Sequence, residues 1–340
     1  MKEGMKAAVF EGEGKLVVKE TAVPRVTKRE EVLLRVEAAS ICGTDVHILS
    51  VPPGHPATPG AILGHEYVGE VVEAGGRAAH LKPGDRVVVD PNVTCGLCRY
   101  CAIGLPNMCE NMTTLGIFID GGFAEYNVAP AKALHRISPG LAADAAIFAE
   151  PLSCVINGSR KLDLQAGESV VILGAGPIGL FYTLLLRMSG AGRIIVAEVN
   201  PVRAAKAREC GADVVVNPAE GDLKEAVFDA AGGGADAAVD AVGSLVNDAI
   251  GVVRRGGRVL LFGMNSNARC EFRQYDVTRN EIRILGTFIA NHTFPATVQL
   301  LESGRLDPSA LITHRITLDE IHAGMEYMRR GEAIEVIVTP

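Results

Sequence analysis

Short runs of β-branched and partly alternating apolar residues fill the first 150 positions of the chain. Residues 31–36, 67–72 and 86–89 are examples, and turn residues separate them, as at 82–85. Alternation with a period of two, interrupted by turn signals, predicts β-strands. We therefore expect this part of the chain to form an antiparallel barrel or sandwich.

The pattern changes near residue 165, where apolar runs begin to alternate with helical stretches. Helical periodicity occurs at 178–189 and 201–210, and later at 296–303 and 318–330. Buried strands that alternate with helices predict a parallel, doubly wound sheet. Six runs are predicted to be its strands: 170–173, 194–197, 214–216, 237–239, 259–262 and 282–285.

The length of 340 residues suits two domains. We place a β domain at 1–150 and an α/β domain at 151–290. The segment 291–340, which ends in a predicted strand at 335–338, is too short for a domain and is expected to return to the first. With 48% hydrophobic and 21% charged residues, the chain has the composition of a globular protein.

Charge and hydrophobic patterning limit the partners. A formal net charge of −7 counts against a general nucleic-acid binder. The N-terminus has no apolar core of signal-peptide length. The uncharged stretch 169–186 is broken by glycine and proline, so a strand, a turn and a buried helix explain it better than a membrane span. We expect a cytoplasmic protein without a membrane or nucleic-acid partner.

A glycine-rich turn follows the first strand of the second domain. Gly174, Gly176 and Gly179 have the spacing G-x-G-x-x-G, and Pro177 and Ile178 open the helix behind them. The first glycine makes the tight turn, the second lets a pyrophosphate approach the backbone, and the third lets helix and strand pack closely. Free N–H groups at the helix N-terminus favour an anion. The motif predicts a dinucleotide site.

Two further residues bear on which dinucleotide binds. Glu198 ends the second strand, 19 residues past Gly179, where its carboxylate can accept hydrogen bonds from the adenosine ribose hydroxyls. Its charge would repel a 2′-phosphate, which favours NAD over NADP. Arg203 leaves NADP open because a guanidinium can hold a 2′-phosphate; alternatively, it is a surface helix residue.

Four of the eight cysteines form a cluster in a lobe at about 92–112. Cys95, Cys98, Cys101 and Cys109 have the spacing C-x2-C-x2-C-x7-C. Four thiolates on one loop suit a closed, tetrahedral structural zinc site. Two disulfides fit a cytoplasmic chain poorly, and a ferredoxin-type iron–sulfur cluster needs a shorter last gap followed by proline. We expect a zinc ion that folds this lobe.

Other metal-binding side chains are dispersed. Cys42 opens the segment Cys-Gly-Thr-Asp-Val-His, His65 and Glu66 follow a glycine before the next strand, and Glu150 precedes a proline that can open a helix. Each has an ordinary structural explanation by itself. Together they supply a thiolate, an imidazole and carboxylates, the mixed ligand set of a catalytic zinc that keeps one position open.

The order of these motifs resembles that of the zinc-dependent medium-chain dehydrogenases of the alcohol and polyol dehydrogenase superfamily. The resemblance spans essentially the whole chain. It implies a GroES-like β-barrel catalytic domain and a Rossmann domain, with the active site in the cleft between them, in a dimeric or tetrameric assembly. Glu150 stands where many alcohol dehydrogenases have a cysteine, so the chain is more similar to the polyol (sorbitol-type) and threonine branches.

The resemblance also implies roles for single residues. Zinc would act as a Lewis acid on the alcohol, which then gives a hydride to C4 of the nicotinamide. Thr44 would accept the hydroxyl proton and pass it through the nicotinamide ribose to His47. Asp45 would orient the imidazole of His65, and Cys154 is an alternative ligand of the catalytic zinc. The implied ligands of the catalytic zinc are Cys42, His65, Glu66 and Glu150, the last as a fourth ligand or in exchange with water and substrate.

The sequence defines the substrate less well. The loop 46–63 has no lysine or arginine, which counts against a phosphorylated polyol. The segment 286–295 resembles the polyol branch, but Ile289 and Ala290 replace the Arg-Tyr pair of sorbitol dehydrogenases, which argues against sorbitol itself. We expect a polyol or another secondary alcohol as substrate. The alternatives are a threonine or amino-alcohol dehydrogenase and a non-catalytic nucleotide-binding protein.

Overall fold

The computed structural model describes residues 3–340. Its strands are β1 (Gly4–Gly12), β2 (Lys15–Ala22), β3 (Glu31–Ser40), β4 (Glu66–Ala74), β5 (Arg86–Val89), β6 (Asn92–Val93), β7 (Thr113–Thr114), β8 (Tyr126–Pro130), β9 (Leu134–Ile137), β10 (Ser169–Leu173), β11 (Arg193–Ala197), β12 (Val214–Val216), β13 (Ala235–Asp240), β14 (Val253–Leu261), β15 (Arg283–Gly286), β16 (Ile312–Thr317) and β17 (Glu335–Thr339).

The α-helices are α1 (Gly43–Ile48), α2 (Arg99–Ala102), α3 (Ala143–Ala146), α4 (Ala149–Leu162), α5 (Pro177–Met188), α6 (Pro201–Glu209), α7 (Leu223–Ala231), α8 (Val246–Val252), α9 (Gln274–Arg279), α10 (Phe294–Glu302) and α11 (Ile321–Arg329). Short 3₁₀ helices occur at Pro106–Met108, Ala131–Ala133, Pro308–Leu311 and Leu318–Glu320. The chain divides into two units, of which one combines Met1–Ser153 with Asn291–Pro340 and the other is Cys154–Ala290.

The first unit is built on a seven-stranded sheet. Its order is β16-β17-β3-β4-β5-β9, with β8 also paired to β3. Every pairing is antiparallel except that of β16 with β17. The last strand of the chain therefore lies next to β3, one of the earliest, with Ile337 opposite Ser40. Most side chains of β3 are buried, and neighbouring strands pair with both of its edges.

The second unit is a parallel sheet of six strands in the order β12-β11-β10-β13-β14-β15. This confirms the predicted doubly wound sheet. All five side chains of β10 are buried because this strand is central in the sheet. The order reverses between β10 and β13, and ligands of such sheets bind at the carboxyl ends of the strands near that point.

Three features of the helices differ from what the sequence predicts. Residues 43–48 form α1, a short helix that the hydrophobic pattern does not predict. The helix expected to open at Pro151 begins at Ala149, which leaves the proline in its first turn. The stretch 318–330 is a 3₁₀ turn followed by α11. In the part of the chain that the structure describes, no helix has the length and apolarity to cross a membrane.

Candidate functional sites

Three side chains of the first unit form a group that can bind a metal ion. One ligand atom from each of Cys42, His65 and Glu66 lies within 4.8 Å of the others. The pairing of β3 with β4 brings them together, because Ser40 at the end of β3 lies opposite Glu66 at the start of β4. Gly64 has a φ of +89°, and a Cβ there would lie 2.6 Å from the Phe123 ring. Only glycine suits this approach to the group.

Asp45 lies beside this group at the start of α1. Its Oδ2 accepts a hydrogen bond of 2.9 Å from the backbone N–H of Cys42, which fixes the cysteine at the N-terminus of the helix. Its Oδ1 lies 3.5 Å from Nδ1 of His65. Asp45 is fully buried, and neither its Oδ1 nor Nδ1 of His65 has a hydrogen-bond partner among the described residues. This placement fits a residue that orients the imidazole.

The protonation of the group follows from its burial. Burial and the Glu66 carboxylate raise the pKa of the Cys42 thiol to about 12. Burial by itself lowers the pKa of His65, but Asp45 and Cys42 raise it well above the ordinary value. A cation reverses this preference, because metal ligands bind in their deprotonated forms. A half-buried thiolate, a buried imidazole and a buried carboxylate match the donor set of a catalytic zinc site, so the residues fit the ion.

A second carboxyl group adjoins Glu66. Glu335 of β17 is buried, and its burial together with the Glu66 carboxylate raises its pKa well above the ordinary value. Burial also raises the pKa of Glu66, whose Oε2 accepts a hydrogen bond from the Ser40 hydroxyl. Sequence reasoning did not identify Glu335 or Ser40 because each is one position in a strand without a motif around it.

Three other predicted residues belong to the same unit. Thr44 and His47 are on α1, half-buried and exposed respectively, at a spacing that places them on one face of the helix. Glu150 is half-buried in the first turn of α4. It does not belong to the three-residue group within 4.8 Å, and neither does Cys154. Zinc ligation by Glu150 therefore remains a prediction.

The four clustered cysteines converge on one point. The Sγ atoms of Cys95, Cys98, Cys101 and Cys109 lie within 4.8 Å of one another. Two Sγ–Sγ distances are 3.5 and 3.6 Å, and all four cysteines are free thiols, which excludes the two disulfides. Four sulfurs bound tetrahedrally at about 2.3 Å from zinc would be roughly 3.8 Å apart. The cluster therefore fits a closed zinc site.

Backbone N–H groups favour thiolates in this cluster. Those of Leu97 and Cys98 donate to Cys95 Sγ at 3.4 and 3.3 Å, and these bonds lower the pKa of Cys95 to about 6. Backbone N–H groups of Cys101 and Glu110 lower that of Cys98. Burial and the neighbouring thiols raise the pKa of Cys101 to about 12. The four thiols cannot all ionise without a cation among them.

The glycine motif of the second unit has the geometry that a pyrophosphate needs. Gly174 turns the chain with a φ of +93°. Gly176 caps α5, Pro177 is its first residue, and this end has no side-chain cap hydrogen bond. A Cβ on Gly176 would meet no atom within 4 Å, whereas one on Gly179 would lie 1.9 Å from the Gly174 carbonyl oxygen. The loop is thus open at Gly176 and closely packed at Gly179.

Glu198 holds the same loop from the neighbouring strand. Its Oε2 accepts 2.7 Å from the backbone N–H of Ala175, and its Oε1 accepts 2.8 Å from that of Asn200. The carboxylate is buried, with 8% exposure, and each oxygen retains a lone pair for a hydroxyl donor. Arg203, in the first turn of α6, is half-buried, and its Nε has no hydrogen-bond partner within residues 3–340.

Sequence reasoning missed Asp240 at the end of β13. Its Oδ1 accepts from the backbone N–H groups of Val242 and Gly243 at 2.9 and 2.7 Å, and its Oδ2 accepts from that of Leu245 at 2.8 Å. The residue therefore shapes the loop after β13, whose Val242 would contact a Cβ on Gly174. An aspartate at a strand end with a glycine three residues later, Gly243, was the signal that could have identified it.

Two family models match the chain. The model described as alcohol dehydrogenase GroES-like domain matches residues 28–139, and the model described as zinc-binding dehydrogenase matches 177–303. The first supports the predicted GroES-like β domain.

Individual relatives match over nearly the full length. D-arabinitol dehydrogenase 1 of Uromyces fabae is 35% identical, over 92% of this chain and 90% of the relative. L-threonine 3-dehydrogenase of Anaeromyxobacter dehalogenans is 34% identical, over 96% and 95%. A crystal structure from Sinorhizobium meliloti 1021, of a protein classed as a zinc-binding dehydrogenase and bound to NADP, has a TM-score of 0.95 at 34% identity and covers 100% of both chains.

Proposed function

Because the chain belongs to the zinc-dependent medium-chain alcohol and polyol dehydrogenase family, we propose that it oxidises a polyol or related secondary alcohol with NAD. The group of Cys42, His65 and Glu66 carries this proposal. A structural or sensor protein has no need of a thiol, a buried imidazole and a buried carboxyl whose ligand atoms lie within 4.8 Å of one another. Membership in the family agrees with the resemblance found in the sequence and makes the non-catalytic alternative unnecessary.

Each residue at this site has a proposed task. Cys42, His65 and Glu66 hold the zinc ion, with Glu150 as a fourth ligand or in exchange with water. Bound zinc supplies the Lewis acidity that makes an alcohol hydroxyl easier to deprotonate. Thr44 accepts the substrate proton. His47, which is exposed on the same helix, releases it to solvent.

The second unit is proposed to bind the dinucleotide. The pyrophosphate lies against Gly176 at the N-terminus of α5, with Gly174, Pro177, Ile178 and Gly179 forming the rest of the loop. Glu198 accepts hydrogen bonds from the adenosine ribose. Its buried negative charge disfavours a 2′-phosphate, and this supports NAD as the preferred cofactor. Arg203 contributes a donor at the same end of the site.

A structural zinc ion is proposed for Cys95, Cys98, Cys101 and Cys109. Four thiolates leave no open position for a substrate, so this ion folds the lobe and does no chemistry. The chain then binds two zinc ions. We propose a cytoplasmic location, because thiols that bind a metal ion stay reduced in that compartment.

We also propose the domain division 1–150, 151–290 and 291–340, and a homo-oligomeric state, a dimer or tetramer. Light scattering tests the assembly, and a monomer at micromolar concentration would overturn it.

Threonine or another amino alcohol is the alternative substrate class. It shares the hydroxyl chemistry and differs in the group next to the reacting carbon.

The test is a spectrophotometric assay at 340 nm on zinc-loaded protein, with NAD and NADP against polyols, simple secondary alcohols and threonine. Reduction of NAD with a polyol supports the proposal. Turnover of threonine alone keeps the mechanism and replaces the substrate. No turnover across the panel by protein with two bound zinc ions overturns the proposal.

A matched pair of variants tests the metal group separately from the substrate. Cys42→Ala is expected to lose one of two zinc ions and to lower kcat by at least about 100-fold. Cys210→Ala changes a cysteine outside the metal-binding groups, buried at the C-terminus of α6, and is expected to keep both ions and full activity. Equal zinc content in the two variants would remove Cys42 from the ligand set.

A further inference from the structure

Asn157 of α4 holds the turn that follows β15. Its Nδ2 donates 2.7 Å to the carbonyl oxygen of Ile289, and lies 3.3 Å from both the Phe288 carbonyl oxygen and Thr287 Oγ1. Asn157 is buried, with 5% exposure. One helical turn later, Lys161 Nζ donates 3.1 Å to the carbonyl oxygen of Gly286. One face of α4 therefore contacts four successive residues, the last residue of β15 and the three residues 287–289 of the turn.

The turn has a conformation that its sequence does not favour. Ile289 has a φ of +39°, in the left-handed region that a β-branched residue rarely adopts. Such conformations persist only where surrounding contacts fix them, and they cluster at functional sites. The 2.7 Å bond from Asn157 to the carbonyl of this residue is such a contact. A glycine or asparagine would adopt the same φ at little cost.

The position of the turn in the sheet suggests what it serves. The order β12-β11-β10-β13-β14-β15 consists of two halves that each bind one mononucleotide. The half β10–β12 carries the glycine loop and Glu198, which suit the adenosine end. The half β13–β15 is then left for the nicotinamide end. At its carboxyl edge, Thr287 N–H donates 3.3 Å to the Leu261 carbonyl, and Phe262 and Gly263 donate to the Asp240 carbonyl at 3.0 and 2.9 Å.

We propose that Asn157 is a positioning residue for the nicotinamide half of the dinucleotide. It acts through the turn 287–289, whose backbone it holds in the strained shape that receives this half of the cofactor. The inference rests on the proposed function, since it takes an NAD-type dinucleotide as the ligand. A merely structural asparagine would satisfy the same carbonyl groups, but its loss would not distinguish one end of the cofactor from the other.

The test compares NADH with ADP-ribose, two ligands that share the adenosine, the pyrophosphate and the second ribose and differ in the nicotinamide ring. Asn157→Ala is expected to weaken NADH binding about tenfold, because the turn loses its hydrogen bonds. ADP-ribose, which lacks the nicotinamide, is expected to bind the variant and the wild type within about twofold of each other. NADH affinity is measured by fluorescence and ADP-ribose affinity by calorimetry on the full chain. Equal weakening of both ligands, or of neither, would overturn the inference.

Asn280→Ala is the matched control. Its Nδ2 also donates to a backbone carbonyl of the same unit, that of Asp276 at 2.8 Å, but Asn280 precedes β15 and so lies at the amino edge of the parallel sheet, opposite the turn 287–289. It is expected to leave both affinities unchanged. A selective loss of NADH binding in this control would show that the loss of any hydrogen bond from a side-chain amide to the backbone produces the effect.

A measurement on the wild type applies even if Asn157→Ala does not fold. Hydrogen exchange of peptides spanning 286–290 is expected to slow on addition of NADH and to stay unchanged with ADP-ribose. Equal protection by the two ligands would overturn the role of the turn. If the wild-type protein binds neither NADH nor NADPH, the proposed function fails first, and that result is distinct from every outcome above.

Discussion

Two of the three glycines of the dinucleotide motif are expected to respond differently to the same substitution. In Gly176→Ala the new methyl group meets no atom within 4 Å, and the φ of −66° and ψ of −179° at this residue suit alanine. In Gly179→Ala the methyl group would lie 1.9 Å from the Gly174 carbonyl oxygen and 2.9 Å from its carbon, so the backbone must move. The first substitution fills the space that we propose for the pyrophosphate, and the second disturbs the fold.

The magnitudes follow from these distances. Alanine at a compatible backbone position changes stability by less than about 1 kcal/mol, so Gly176→Ala is expected to keep its melting temperature within about 2 °C. Gly179→Ala gains helix propensity but suffers overpacking of about 1–3 kcal/mol, which corresponds to a melting temperature lower by roughly 3–10 °C. A methyl group between the backbone N–H groups and the pyrophosphate is expected to weaken NADH binding at least about tenfold in Gly176→Ala.

Differential scanning calorimetry and NADH fluorescence titration measure the two effects separately. The informative protein is Gly176→Ala, since it is expected to fold as well as the wild type and yet bind poorly. Wild-type affinity for NADH in that variant would refute the placement of the pyrophosphate against Gly176. A large loss of stability in the same variant would refute the view that the structure leaves this position open.

Three further predictions concern other parts of the molecule. Cys98→Ser is expected to reduce the zinc content from two ions to one and to lower the melting temperature by about 5 °C or more; atomic absorption and calorimetry check both, and an unchanged zinc content contradicts the four-thiolate site. Glu198→Gln keeps an acceptor for Ala175 but removes the charge, so the ratio of kcat/KM for NADP to that for NAD is expected to rise about tenfold; a constant ratio contradicts the role of the charge. Burial would raise the pKa of Glu31, but the backbone N–H groups of Thr27 and Lys28 lower it from 4.5 to about 2. The stabilisation that the ionised Glu31 carboxylate gives the fold is therefore complete above pH 4.5 and is lost as the pH falls towards 2. In urea unfolding, Glu31→Gln should cost about 1–2 kcal/mol at pH 7 and progressively less in acid, whereas a constant difference contradicts this assignment.

Local signals account for the parts of the structure that the sequence predicted well. Five of the six predicted strands of the parallel sheet are uninterrupted apolar runs, and the sixth, 282–285, is broken only by Arg283. Such runs are typical of strands that are covered on both faces. The observed strands overlap all six predicted runs, and β12 has the predicted bounds. The glycine motif and the cysteine spacing are equally local, since their chemistry depends on residues that are close in the chain. The short helix α1 was missed because six residues are too few to show helical periodicity.

The surroundings of the metal group could not be predicted, because they depend on pairing between distant strands. Glu335 is 269 residues from Glu66 in the sequence, and no spacing rule connects the two. They become neighbours because β17 pairs with β3 through Ile337 and Ser40, while Ser40 is also opposite Glu66 in β4. A shift of one residue in the register of β17 would turn Glu335 to the other face of the sheet. The register of the last strand thus determines whether one or two carboxyl groups are buried next to Cys42 and His65, and the end of the chain is part of the metal site's environment.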